Sequence, residues 1–188
     1  MKKLHIILIT HLLLISTFVN AQEKLKGNKD VTVENREIAN FSSIEIIDNV
    51  DVHLIFSNNQ SVSVETDSNL QSAIFTEVSN DVLTIKLTSK ILRKKELNVT
   101  IKVNSNLKSI NTYNNSKVFS KNSLNIDSLT VNTFDNSDID LKLNSKLITI
   151  NAKKTSDLKF ELLSENLIIQ NEGSASIKAI INTNSIEA

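Results

Sequence analysis

Three carboxylates crowd one short stretch of the chain, "TFDNSDIDLKLNS" (Thr133 to Ser145), where Asp135, Asp138 and Asp140 fall within six residues. Two chemistries use such a set. Calcium takes several hard oxygen ligands, and Asp135-Asn136-Ser137-Asp138 offers them through Asp135 and Asp138. Cleavage of a polysaccharide needs acidic groups on one face, as proton donor and as base or nucleophile, with a basic residue nearby. The remaining inventory narrows both. There is no Cys, which excludes thiolate metal sites, thiol nucleophiles and disulfides. His53 is the only His past the first 21 residues, and Arg36 and Arg93 are the only arginines. No Ser lies in a nucleophile elbow, and neither a phosphate loop nor a dinucleotide fingerprint occurs. The EF-hand spacing and the glycine-rich nonapeptide are missing too. The expectation is a protein without catalytic residues or cofactor, with Asp135 and Asp138 as its one calcium candidate.

Whether those carboxylates meet depends on the elements that carry them, and these elements repeat. "SINTYNNSKVFS", "LTVNTFDNSDIDLKL", "ITINAKKTSDLKFEL" and "LIIQNEGSASIKAII" align without gaps. Ile110, Val131, Ile150 and Ile169 follow one another at offsets of 21, 19 and 19, as do Val118, Ile139, Leu158 and Ile177. Asn111, Asn132, Asn151 and Gln170 form a column of amides. Within a repeat, Ile139-x-Leu141-x-Leu143 and Leu158-x-Phe160-x-Leu162 alternate with charged residues, the period of strands with one buried face. Two short strands per period of about 20 mark a solenoid, since one coil cannot bury its apolar face alone. The leucine-rich consensus is absent. The expected fold is all-β, a right-handed parallel β-helix with coils of about 19–21 residues, regular from about 105 to 182. Side chains then stack about 4.8 Å above their counterparts, and the Asn column can hydrogen-bond as a ladder.

In this alignment the acidic stretch is the second of four coils. Asp138 and Asp140 fall on an outward face, where the other coils carry Lys117 and Phe119, Asp157 and Lys159, and Ser176 and Lys178. Mixed signs at those positions describe a solvated strand face. Tyr113 and Phe134 align one coil apart, and Lys153 and Glu172 continue their column. Facing outward, the two rings form a step suited to a sugar ring or a partner surface; facing inward, they pack a corner. Both readings stand at this point.

Residues 27–90 are also strand-rich, with alternation in Val50-Asp51-Val52-His53-Leu54 and Leu83-Thr84-Ile85-Lys86-Leu87. Only Asp67 to Val78 suits a short helical turn, begun by an Asp or Ser cap. Lys90 to Glu96, "KILRKKE", reads as a solvated loop or as a contact for an acidic polymer. The chain has no Pro and only Gly27 and Gly173, so Asn, which tolerates the left-handed conformation, is the expected turn former.

The chain opens with the basic Met1-Lys2-Lys3, an apolar run from Leu4 to Val19, and Val19-Asn20-Ala21 with small residues where signal peptidase needs them. Residues 1–21 are thus expected to be a signal peptide, and 22–188 one exported domain. Losing Lys2 and Lys3 leaves 19 cations against 21 anions, a net charge of −2. That balance does not favour nucleic acid as a partner. No later stretch is apolar enough to cross a bilayer. Little polar sequence follows the last repeat, so self-association through the C-terminal coil is a further expectation.

The stretch "NREIANFSSIEIIDNVDVHLIFSNNQSVSVETDSNLQSAIFTEVSNDVLTIKL" resembles the head GIN domain family of putative autotransporter adhesins. Arg36, Phe41-x-x-Ile44-x-Ile46, Val50-x-Val52-x-Leu54, Val62-x-Val64-x-x-Asp67-x-Asn69-Leu70 and Leu83-x-Ile85-x-Leu87 carry the resemblance, which extends over roughly 27–182. It implies a β-helix-like fold and a cell-surface or periplasmic role, with a surface protein or a glycan as partner and no catalytic residues. The family's Gly-Ser-Gly turns are replaced here by Asn-Ser or Thr-Ser, except near Gly173-Ser174-Ala175-Ser176-Ile177. A carbohydrate-binding or carbohydrate-cleaving β-helix is the alternative.

Overall fold

The computed structural model describes residues 23–187, so the expected signal peptide, 1–21, lies outside the described residues. The chain is all-β. Its strands in order are β1 (Lys24–Lys26), β2 (Val31–Arg36), β3 (Ser43–Ile46), β4 (Asp51–Phe56), β5 (Ser61–Asp67), β6 (Ile74–Ser79), β7 (Val82–Leu87), β8 (Lys90–Arg93), β9 (Leu97–Val103) and β10 (Ser109–Thr112). Then follow β11 (Lys117–Ser120), β12 (Leu124–Asn125), β13 (Ser128–Thr133), β14 (Asp138–Lys154), β15 (Asp157–Gly173) and β16 (Ser176–Glu187). The expected helical turn is present as 3₁₀, Ser68–Ala73.

The repeat alignment holds residue by residue. Ile110 pairs with Val131, Val131 with Ile150 and Ile150 with Ile169, all in parallel register. Val118, Ile139, Leu158 and Ile177 form the second column. Strands of both columns alternate buried and accessible side chains, as in Asp138–Ser145, and their buried residues meet in one hydrophobic core. Asn132 Nδ2 donates to Asn111 Oδ1 at 2.7 Å and Asn151 Nδ2 to Asn132 Oδ1 at 2.8 Å, so the amide ladder forms along the outward side.

The sheet is mixed, which corrects the expectation of a uniformly parallel helix in the N-terminal part. β5 runs antiparallel to both β2 and β9, and β6 antiparallel to β7. The β6–β7 reversal is a two-residue hairpin whose Asn80 and Asp81 both have positive φ, 49° and 63°. That is the twist-matched turn, and Asn and Asp are among the few residues that adopt it cheaply. The order of stacking also departs from chain order. β3 lies between β7 and β10, so Ile44 sits between Leu83 and Ile110. β4 likewise lies between β9 and β11, with Val52 between Val99 and Val118. The first coil of the chain is therefore the second of the stack.

Two kinds of corner bend the coils without Pro. At the first, Ser116, Ser137 and Ser156 are buried, and each hydroxyl donates to the carbonyl three residues back, at 2.7, 3.0 and 3.3 Å. The left-handed residue of this corner is Asp48, Asn114, Asp135, Lys154 or Gly173, coil by coil, with Asn115 left-handed as well. Asn is thus one turn former among several. At the second corner, Ser145, Ser164 and Thr183 donate to the carbonyl two residues ahead at 3.0, 2.7 and 3.0 Å, bending the long strands β14, β15 and β16.

Lys154, with φ 59°, carries the costliest side chain of the left-handed column, while Gly173 stacks directly upon it with φ 128°. A Cβ on Gly173 would stand 2.9 Å from the Lys154 backbone. Lys154→Gly is therefore expected to stabilise the fold by about 0.5 kcal/mol, since the exposed ion pair it removes contributes little. Gly173→Ala is expected to destabilise by about 1 kcal/mol or more. Urea denaturation of the two variants checks this pair of opposite signs; a destabilised Lys154→Gly variant overturns it.

Candidate functional site

The outward column at the first corner holds Tyr113, Phe134, Lys153 and Glu172. Alternation places them there: Ile110 and Thr112 are buried, so Asn111 and Tyr113 emerge on the opposite side. The registers Thr112–Thr133 and Thr133–Ala152 then carry Phe134 and Lys153 to the same edge. The rings of Tyr113 and Phe134 stack with centroids 4.7 Å apart and planes 2° from parallel, as the coil spacing imposes. Both are half-buried. Lys153 Nζ lies 6.0 Å from the Phe134 centroid and 3.1 Å from Glu172 Oε2, which extends the column from aromatic to ionic. Burial, and then the nearby Glu45 carboxylate, push the Tyr113 hydroxyl above its usual pKa. The phenol therefore stays protonated as a hydrogen-bond donor.

Between this column and the amide ladder runs a shallow groove of about 300 Å³, lined by Asn132, Phe134, Asn151, Lys153, Gln170 and Glu172. Asn151 Oδ1, buried at this groove, has no hydrogen-bond partner among the described residues. The Asn register ends there because Gln170 stands opposite Asn151.

The carboxylates of the acidic stretch do not converge. Asp138 pairs with Lys117 Nζ at 3.2 Å, and Asp135 pairs with Lys154 of the next coil. The hydrogen bond from Lys154 holds the Asp135 carboxyl below its usual range, against the opposing pull of desolvation. Asp140 stands between Phe119 and Lys159. Among the described residues, no group of three His, Cys, Asp or Glu is placed to hold a metal ion. His53 is outward on β4 and stacks on Phe119, centroids 5.6 Å apart. Burial first, then Lys121, lower its pKa, and Asp51 only partly offsets them, so the imidazole is neutral near pH 7.

Asp67, Asn69 and Arg36, which the sequence offered only as a pattern, turn out to tie the N-terminal part together. The Asp67 carboxylate is 0% exposed and accepts the backbone N–H of Lys95 at 2.7 Å and that of Lys29. Because it is spent on these loops, it makes no side-chain cap on the 3₁₀ turn it precedes. Gly27 leaves room for it: a Cβ there would meet the carboxylate at 2.5 Å. Asn69 accepts from Asn28 N and donates to Lys26 O, both at 2.9 Å. Arg36 donates to the backbone and side-chain oxygens of Gln71, each at 2.9 Å.

No helix among the described residues is long and apolar enough to cross a membrane. No curated protein matches the chain significantly. Among solved structures, a putative adhesin from Parabacteroides distasonis is similar at TM-score 0.70 and 21% identity, over 83% of this chain and 68% of that one. A putative lipid binding protein from the same species is similar at TM-score 0.61 and 18% identity, over 83% and 76%. A putative adhesin from Parabacteroides merdae is similar at TM-score 0.55 and 17% identity, over 88% and 98%. At such identities the likeness is one of fold. The family model described as putative auto-transporter adhesin, head GIN domain, matches residues 40–185, and the chain belongs to that family.

Proposed function

We propose that the protein is an exported, non-catalytic binding module of the cell surface or periplasm, a single domain over 22–188 whose regular repeats, about 105–182, wind as a right-handed parallel β-helix. The observation that carries the reading is the outward step of Tyr113 on Phe134, beside the amide-lined groove. Stacked rings at the coil spacing are rigid, amphipathic and ordered before a ligand arrives, which lowers the entropy cost of binding. The Tyr113 hydroxyl, held in its protonated form, supplies a donor for a ring's hydroxyl groups. Lysines beside Asp135 and Asp138 take up the carboxylates that hydrolysis would need, which supports binding over cleavage. The winding is supported by the parallel registers at 19–21 residues; a crystal structure with the coils turning the other way would overturn its hand.

A glycan array probed with residues 22–188 tests the site. Retention of a defined set of neutral glycans is expected, and the Tyr113→Ala, Phe134→Ala double variant is expected to lose it by tenfold or more, since each stacked ring contributes about 1 kcal/mol. An unchanged binding profile for the double variant, with its melting curve intact, overturns the role of the step.

A further inference from the structure

The second sheet of the molecule is a ribbon of only two parallel strands, β1 and β8. Its register places Lys24 opposite Lys90 and Lys26 opposite Arg93, like charge against like charge at both ends. Such pairs are destabilising. In the main sheet, like pairs have an opposite charge on the strand beyond: Asp138 faces Asp157 but is bonded to Lys117, and Lys159 faces Lys178 but stands next to Asp140. Among the described residues, the ribbon has no strand beyond. Among the described residues, no carboxylate lies within 4.0 Å of Lys24, Lys26, Lys90, Arg93 or Lys94. On a mature chain of net charge −2, this is a concentration of uncompensated positive charge.

β8, one strand of the ribbon, also forms one wall of a groove of about 760 Å³. Lys90, Arg93 and Lys94 stand on that wall, and Asn49, Asn114 and Asn115 of the corner turns face them. Leu92, 48% exposed, adds apolar surface between the cations. Asp48 is the one carboxylate of the lining, on the far wall within reach of Asn114 Nδ2. The groove is open and lined by polar and apolar residues alike, with amides spaced one coil apart. That suits a flexible chain of hydroxylated units bearing regular negative charges better than an acyl chain, which needs an enclosed apolar slot.

We propose that this groove is a binding site for an acidic polysaccharide, the carboxylate or sulfate groups resting on Lys90, Arg93 and Lys94 and the sugar hydroxyls on the turn amides. The proposal rests on the reading of the chain as a binding module, but its residues are separate from Tyr113 and Phe134, so the two can fail independently.

Calorimetry of residues 22–188 with polygalacturonate, heparin and neutral dextran provides the test. Binding to at least one of the two polyanions and none to dextran is expected, weakening steeply between 50 and 300 mM salt. The Lys90→Gln, Arg93→Gln, Lys94→Gln triple variant is expected to bind at least tenfold more weakly, while Lys142→Gln, Lys159→Gln, Lys178→Gln, the same charge change on the regular coils, leaves binding within twofold. Equal losses in the two triple variants reduce the effect to net charge and overturn the site. So does the absence of polyanion binding in the parent protein. Stronger, groove-dependent binding to phosphatidylglycerol vesicles than to either polyanion would assign the groove to a membrane surface and overturn the polysaccharide. Melting curves of all three proteins exclude unfolding as the cause, because every substituted side chain is accessible.

Discussion

Replacing Ile150 by Asp is expected to abolish the cooperative fold at 25 °C. Ile150 is 0% exposed and sits in the column between Val131 and Ile169, in the wall that β14 shares with β13 and β15. Removing its side chain forfeits about 2–3 kcal/mol of apolar burial. Placing a carboxylate among these apolar side chains adds several kcal/mol or forces protonation. Together these approach or exceed the ~5–15 kcal/mol by which a domain of this size is stable. The stacked architecture sharpens the effect: a coil that loses its inward residue uncovers the faces of both neighbours. Circular dichroism of the purified variant is the measurement. Asp140→Ala, on the outward face of the same strand, is the comparison and should melt within about 2 °C of the parent. Near-parental melting of Ile150→Asp would mean that the column is not core.

Asp67→Asn is expected to release the N-terminal ribbon and lower the melting temperature by roughly 5–10 °C. The substitution keeps the shape of the side chain but exchanges an acceptor oxygen for a donor. At least one of the amides of Lys29 and Lys95 then faces an N–H group inside a site closed to water. Amide hydrogen exchange should localise the damage to residues 24–30 and 90–96 and spare the regular coils. The effect carries a pH signature. Burial by itself would raise the pKa of Asp67, but the N–H groups of Lys95, Lys29, Glu96 and Asp67 itself outweigh it and hold the value below 3.8. A carboxyl whose folded-state pKa is lowered contributes stability in full above its unfolded value and loses it as pH falls through the folded one. The melting difference between parent and variant should therefore be constant from pH 5 to 7 and shrink below about pH 4. A difference that is the same at pH 3 and pH 7 would show that the charge is not what holds the loops.

The ribbon released in that experiment is also a wall of the basic groove, so the two features are physically joined. Arg93 contributes its backbone carbonyl to Gly27 N at 2.7 Å, and the residue is exposed and lines the groove. Substituting the side chain leaves that backbone bond, which is why the groove can be tested without dismantling the ribbon.

Much of the regular part was legible in the chain itself, because a coil is a local object. Ile110, Val131, Ile150 and Ile169 recur at a nearly constant spacing, and constant spacing is all that in-register parallel stacking requires. Strand alternation fixed which side chains are outward, including Asp138, Asp140 and His53, for the same reason. Whether Tyr113 and Phe134 emerge was not legible, since they sit at the last position before a turn, where a change of path reverses the side; the buried Thr112 and Thr133 decide it. The acidic stretch shows the limit in the other direction. Asp135 and Asp138 are three residues apart along the chain, yet each is bonded to a lysine from a different neighbouring coil, Lys154 above and Lys117 below.

By itself, then, the sequence determined the all-β class, the coil period, the two inward columns and the amide ladder, all of which depend on residue type at short, repeated spacing. Only the tertiary structure decided that β3 and β4 intercalate between strands that follow them by about 40 to 70 residues, because the apolar alternation of those strands is the same for any partner. It also decided the role of Asp67, whose partners Lys29 and Lys95 lie 38 and 28 residues away on either side. And it turned "KILRKKE" from a basic run into one wall of a groove, since charge that a chain carries locally becomes a site only when something folds across from it.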